Sequence, residues 1–166
     1  ADSTKRDTAA KELIELGADS VPPLIDALQT QDLSLLLYYQ QILARISSAT
    51  PALTKTLSTA HPIIRARVVE IFGMSKDKSA VPALLDALKG EYFTVRSRAA
   101  LALGNIGDAQ MIPDILLLLK DQEDEARSAA CIALGKFCDP STFEEIADVL
   151  LDDPIIEVRQ SAALAL

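Results

Sequence analysis

The sequence repeats itself at intervals of about 31 residues. When residues 92–122 are aligned with residues 123–153, identical arginine, alanine, leucine, glycine and aspartate residues coincide. Shifts in both directions reveal six copies of one segment, of which the second, residues 32–46, is the most divergent. A unit of this length cannot bury its own apolar face, whereas stacked units can bury a continuous core. The repeat therefore predicts a solenoid built from similar units.

Each unit is predicted to contain two helices. In the first helix, Val95, Ala99 and Ala102 have the spacing of an apolar helical stripe. Gly104 lies within this helix, where glycine costs about 1 kcal/mol relative to alanine, so it indicates the close approach of a neighbouring helix. An aspartate four residues later can cap the second helix. Because Pro113 follows five residues beyond that aspartate, either the second helix begins later or it gives up one hydrogen bond. The capping aspartates are Asp77, Asp108 and Asp139.

The consensus of the repeat resembles a known family. The pattern V-R-x-x-A-A-x-A-L-G-x-I-G-D, followed by an apolar residue, a proline and a leucine-rich helix, resembles HEAT repeats of the phycobilisome-lyase type, and residues 95–113 carry it in full. The resemblance implies an all-α, right-handed α-solenoid of about five to six two-helix repeats, with the Val-Arg helices on its concave face. We expect residues 1–166 to form one such domain. The pattern stops within a helix at Leu166, which favours a segment of a longer array.

Composition and charge exclude several functions. Basic residues number 16 and acidic residues 24, so the formal net charge is −8. This charge disfavours binding to nucleic acid and to anionic membrane surfaces. No apolar run is long enough to cross a bilayer. One histidine and two cysteines offer no metal-binding pattern, and no cofactor is expected. The two cysteines favour a reducing cytoplasm.

Candidate binding residues are sought where the repeats differ along the concave face. The row at the position of Leu101 includes Tyr39, Glu70, Ile132 and Leu164. Leu101, Ile132 and Leu164 form an apolar ridge that could bind a helix or extended peptide of a protein partner. The alternative is that these side chains pack between neighbouring concave helices. The predicted partner-binding residues are Leu36, Tyr39, Arg67, Glu70, Arg98, Leu101, Asn105, Ile132, Lys136 and Leu164.

Arginines in the two central repeats form a second candidate site. Arg67 and Arg98 are expected to lie one above the other, beside Arg65 and Arg96, and to form a basic cluster for an acidic peptide or a phosphate. For the consensus pair Arg65 and Arg96, the favoured interpretation is a structural ladder to carboxylates. Asp77 and Asp108 are the predicted carboxylate partners.

The remaining polar residues are given structural roles. His61 precedes a proline at a helix start and is predicted to be a solvated turn residue. Cys131 replaces a small alanine and is predicted to be buried, whereas Cys138 occupies the position of Gly107. The acidic residues before two helices are attributed to the favourable helix dipole. They are Asp121, Glu123, Asp124, Glu125, Asp152 and Asp153.

These observations predict a non-catalytic scaffold that binds a protein along its concave face. The alternative, implied by the resemblance, is an accessory subunit of a bilin lyase. Di-iron hydroxylases of the HEAT type need several His-Glu pairs, and DNA glycosylases of this type need a basic cleft that bears aromatic residues. The sequence contains neither, and an enzyme is not expected. A monomer and an end-to-end self-associated form both remain open.

Overall fold

The chain folds into a stack of helices. In the computed structural model, which describes residues 2–166, with side chains described from residue 4 onward, eleven α-helices follow one another and no strand occurs. Short 3-10 turns join many of the helices. The helices are α1 (Asp2–Leu16), α2 (Val21–Ala27), α3 (Leu33–Leu43), α4 (Thr50–Thr59), α5 (Pro62–Ser75), α6 (Val81–Leu88), α7 (Phe93–Ile106), α8 (Ile112–Leu117), α9 (Asp124–Gly135), α10 (Phe143–Asp152) and α11 (Ile156–Ala165).

The helices form two layers. The odd-numbered helices are the six copies of the Val-Arg segment, and from α5 onward they pack directly on one another. The even-numbered helices make fewer contacts within their own layer. In a curved stack the more closely spaced layer is the concave one, and we call the odd-numbered helices the inner layer and the even-numbered helices the outer layer. The predicted all-α solenoid of two-helix repeats is therefore confirmed.

Aspartates start the outer helices as the sequence predicts. The carboxylates of Asp77, Asp108 and Asp139 each accept a hydrogen bond from the backbone N–H two residues later, at 2.9, 3.1 and 2.9 Å. Each aspartate caps a 3-10 turn, and the α-helix begins after that turn. Pro82 and Pro113 consequently lie in the first helical turn, where a proline sacrifices no hydrogen bond. The later helix start, one of the two options left open by the sequence, is the one observed.

Glycines let the inner helices approach closely. A Cβ atom on Gly104 would lie 2.9 Å from the Cα of Ala133, and one on Gly135 would lie 2.8 Å from the Cα of Ala165. Both distances are shorter than a carbon–carbon contact allows. The prediction that Gly104 serves close packing is confirmed. In α3, this position is occupied by Ile42, whose side chain is buried.

Candidate functional site

Within the predicted apolar ridge, the exposed side chains lie toward the C-terminal end. Ile132 on α9 is 40% exposed and Leu164 on α11 is 88% exposed. Leu101 on α7 is half-buried and packs against the core, as do Leu36 and Tyr39 on α3. The predicted ridge is thus continuous in position but uneven in exposure. Ile132 and Leu164 are the members available to a partner, whereas Leu101 also has the packing role that the sequence left open.

Polar side chains link neighbouring inner helices. The amide of Gln40 donates to Glu70 Oε2 at 2.6 Å, and Arg98 Nη1 lies 2.7 Å from Glu70 Oε1. Further along the stack, Lys136 Nζ donates to Asn105 Oδ1 at 2.5 Å. Four of the predicted binding residues therefore form two pairs, Glu70 with Arg98 and Asn105 with Lys136. Gln40 was not anticipated, because its buried amide is explained only by a partner 30 residues away.

Both arginines of the expected basic cluster contact acceptors within the fold. Arg67 Nη1 donates to the carbonyl oxygens of Leu28 and Thr30, the latter at 3.1 Å. It therefore satisfies carbonyls just beyond the end of α2. Arg98 is paired with Glu70. Each guanidinium thus has an acceptor within the fold, and the site for an acidic peptide or phosphate at these arginines stays a prediction that would use their remaining N–H donors.

The consensus arginines form a ladder, but with other partners than expected. Arg96 Nε and Nη2 each lie 2.7 Å from a different carboxylate oxygen of Asp121, a bidentate pair. Arg127 makes the same pair with Asp153, at 2.7 and 3.1 Å. Asp77 and Asp108 instead cap their own 3-10 turns, and Asp77 also accepts a hydrogen bond from the hydroxyl of Thr50 at the start of α4.

Backbone carbonyls extend the ladder from one repeat to the next. Arg127 Nη1 donates to the carbonyl of Asp121 at 2.9 Å, and Arg159 Nη1 donates to the carbonyl of Asp153 at 2.7 Å. The hydrogen bonds from Arg96 and Arg127 lower the pKa values of Asp121 and Asp153, and the same bonds raise the pKa values of the arginines. The sequence attributed these two aspartates to the helix dipole alone, whereas each also binds an arginine of the preceding repeat. Each recurs six residues before a consensus arginine, a signal that could have found them.

The ladder is interrupted at Arg65. The position that holds Asp121 in the next repeat holds Gly90 in this one, so no carboxylate of the described residues pairs with Arg65. Arg65 Nε donates instead to the carbonyl of Ala60 at 2.7 Å, and Nη2 donates to the carbonyl of Ser58 at 3.3 Å. Arg65 and Gly90 line the same pocket of about 470 Å³ between α4 and α6.

The histidine and the cysteines have structural surroundings. His61 is exposed and its Nδ1 accepts a hydrogen bond from the N–H of Ile63 at 3.4 Å, which caps α5. Cys131 is fully buried, and burial raises the pKa of its thiol to about 11. Cys138 is exposed, in the left-handed conformation that Gly107 adopts one repeat earlier. Within the described part of the chain, no group of three or more His, Cys, Asp or Glu side chains could hold a metal ion.

The repeats, the capped outer helices and the glycine-spaced inner helices define an α-solenoid repeat protein. The sequence profile of HEAT repeats matches residues 22–103, 50–120 and 82–166. These matches cover most of the chain, and the chain belongs to the HEAT-repeat family. The predicted resemblance to HEAT repeats is therefore confirmed.

Two solved structures are similar to the chain. One is the complex of CpcE and CpcF of phycocyanin lyase from Nostoc sp., with a TM-score of 0.79, 20% identity, and coverage of 89% of this chain and 98% of that chain. The other is human deoxyhypusine hydroxylase in complex with glycerol, with a TM-score of 0.58, 17% identity, and coverage of 99% of this chain and 78% of that chain. No curated protein sequence matches significantly. Among the described residues, every helix is too short or too polar to cross a membrane.

The comparisons correct one expectation. The sequence suggested that the chain is not an enzyme, because no catalytic pattern was found. Both similar structures have enzymatic names, a phycocyanin lyase complex and a hydroxylase. These findings contradict the expectation that the chain is not an enzyme. It failed because repeat consensus residues report on stacking, and the same stack serves in enzyme complexes.

Proposed function

We propose that this chain is a HEAT-repeat subunit of a lyase-type enzyme complex, in which it binds a protein partner along its inner layer. The observation that carries the proposal is the extent of the match to the phycocyanin lyase complex, which covers 98% of the matched chain and 89% of this one. The similarity thus involves the whole array of repeats rather than one helical pair. That solved structure is itself a complex of two subunits.

The inner layer offers a surface with the composition of a protein-binding site. Ile132 and Leu164 are exposed apolar side chains on neighbouring helices, and the polar pair Asn105 and Lys136 lies one turn from Ile132. Apolar anchors beside a polar rim are typical of protein interfaces. Half-buried Leu101 continues the apolar row toward the centre of the stack. The partner is expected to contact α9 and α11 first.

A photo-crosslinking experiment tests where the partner binds. A photoreactive amino acid is placed at Ile132 or, as a matched control, at Leu117, an apolar residue of the outer layer that is 69% exposed. We expect crosslinks from position 132 to a second repeat subunit or to a protein that carries a bilin, and none from position 117. Ile132→Asp should abolish the crosslinked product formed from position 164, while Leu117→Asp should leave it unchanged. Equal crosslinking from the two layers would contradict the proposal.

The connection with a lyase is tested separately with a bilin. The purified chain, with the partner identified by crosslinking, is mixed with a free bilin, and the absorption and circular dichroism of the chromophore are recorded. The proposal predicts a shifted absorption band and an induced dichroic signal that require both proteins. An unchanged bilin spectrum in the presence of both proteins would rule out a bilin lyase and leave a subunit of another enzyme.

A further inference from the structure

The pocket beside Arg65 is the place where the repeat pattern lacks a side chain. In the two following repeats, a consensus arginine binds an aspartate carboxylate bidentately, at 2.7 to 3.1 Å. At the corresponding position Gly90 has no side chain, and a cavity of about 470 Å³ lies between Arg65 and the outer helices α4 and α6. The molecule thus contains two filled examples of a carboxylate site and one example without its carboxylate.

The surroundings of this cavity suit a ligand with an apolar body. Pro51, Leu57, Ala83, Ala87 and Val95 contribute apolar walls, and the volume lies within the range of small-molecule sites. Arg65 is half-buried, whereas the other charged residues of the lining are exposed to solvent and therefore strongly screened. Those exposed residues are Lys55, Asp86 and Glu91.

We propose that this cavity, the Arg65 pocket, binds a carboxylate carried on a small apolar group, and that the ligand carboxylate pairs with the Nη1 hydrogens and the remaining Nη2 hydrogen of Arg65. A guanidinium has five N–H donors, and Arg65 uses Nε and Nη2 toward two backbone carbonyls. A planar carboxylate is the acceptor that a guanidinium matches in two parallel hydrogen bonds. The lining contains neither Ile132 nor Leu164, so this proposal does not depend on the inner-layer partner.

The test uses the arginine Nε–H resonances of the ¹⁵N-labelled chain, titrated with 3-phenylpropionate and with its amide as a neutral control. We expect a saturable shift of the Arg65 resonance with the acid and at least about tenfold weaker binding of the amide. The resonances of Arg96 and Arg127 serve as internal controls and should not move. A second arm uses a dipeptide ending in phenylalanine, with a free or an amidated C terminus. It distinguishes a small acid from a protein C terminus as the source of the carboxylate.

Substitutions at Gly90 make the test decisive. Gly90→Asp restores the missing aspartate, and should abolish acid binding and raise the thermal midpoint by about 3 °C. Gly90→Asn has nearly the same shape without the charge and should not raise the midpoint. Arg65→Gln should also abolish acid binding, and the glycine variants keep the test valid if Arg65→Gln does not fold. The proposal is overturned if neither acid shifts the Arg65 resonance, if acid and amide bind equally, or if Gly90→Asp leaves binding unchanged.

Discussion

The inner helices are held together differently at the two ends of the stack. From α5 to α11, glycine faces the backbone of an alanine on the next helix, and from α7 onward arginine–aspartate pairs join the loops at the side. In α3, by contrast, the glycine position holds Ile42 and the arginine position holds Ser34. There, the Tyr38 hydroxyl donates to the carbonyl of Arg6, and Gln40 reaches α5.

This difference separates two ways of stacking the same repeat. Where a glycine lies against the backbone of the next helix, main-chain atoms fix the distance between the two helices. The arginine–aspartate pairs then fix the register of one repeat on the next. Where Ile42 fills the gap, the spacing depends on side-chain packing, and α3 makes fewer contacts with α5 than α5 makes with α7. Because repeats contact only their neighbours, each interface contributes its own stability. We therefore expect the first four helices to open before the others.

Exchange of the spacing residues has the largest predicted effect. Gly104→Leu places a side chain against the Cα of Ala133. Because this atom belongs to the backbone, it cannot turn aside as a side chain can, and the free energy of unfolding should fall by about 3 kcal/mol. Ile42→Ala removes buried methyl groups and should cost about 2–5 kcal/mol. Urea denaturation followed by circular dichroism measures both. If Gly104→Leu is as stable as the wild type, the glycines do not set the spacing.

Removal of one ladder carboxylate has a smaller effect. Asp153→Asn leaves Arg127 without its bidentate partner, and we expect a loss of about 2 kcal/mol. Asp152, the exposed neighbour, is the matched control, and Asp152→Asn should change stability by less than about 0.5 kcal/mol. Equal effects of the two substitutions would show that the ladder contributes nothing particular.

The ladder also makes stability depend on pH. The pKa values of Asp121 and Asp153 are lowered in the folded chain by the hydrogen bonds from Arg96 and Arg127. Their stabilisation is therefore complete above the unfolded value, near 3.9, and is lost as the pH falls through the lower folded values. Unfolding experiments between pH 6 and pH 2 should show this loss. The double substitution Asp121→Asn and Asp153→Asn should weaken the dependence, and an identical pH profile would contradict the assignment.

The smallest predicted effect concerns the ends of the inner helices. Lys76 and Cys138 have φ angles of 53° and 50°, at the position where Gly107 has 74°. A side chain in this left-handed region costs about 1 kcal/mol, so Lys76→Gly should stabilise the chain by about that amount. Arg45, the corresponding residue of the second repeat, lies outside the left-handed region, and Arg45→Gly should not stabilise it. Thermal unfolding of the two variants distinguishes these outcomes.

The features that could be predicted from the sequence are those that every repeat needs. Gly104 indicated close packing because glycine is unfavourable inside a helix, and Asp108 indicated a cap because its side chain binds a backbone N–H only two residues away. The partner of Arg96 could not be found in this way, since Asp121 lies in the next loop, 25 residues away. The acceptors of Arg67 were likewise not found from the sequence, because they are carbonyls beyond the end of α2. Side-chain contacts between repeats depend on superhelical geometry, which the consensus does not encode.

Native-state hydrogen exchange, read by mass spectrometry on the unmodified chain, tests the difference between the two ends most directly. We predict that amides of α1 to α4, before His61, exchange first, and that amides of α7 and α9 exchange last. Asp153→Asn should accelerate exchange in α9 and α11 without changing exchange in α3. Uniform protection along all the helices, or earlier exchange in α9 than in α3, would contradict the account.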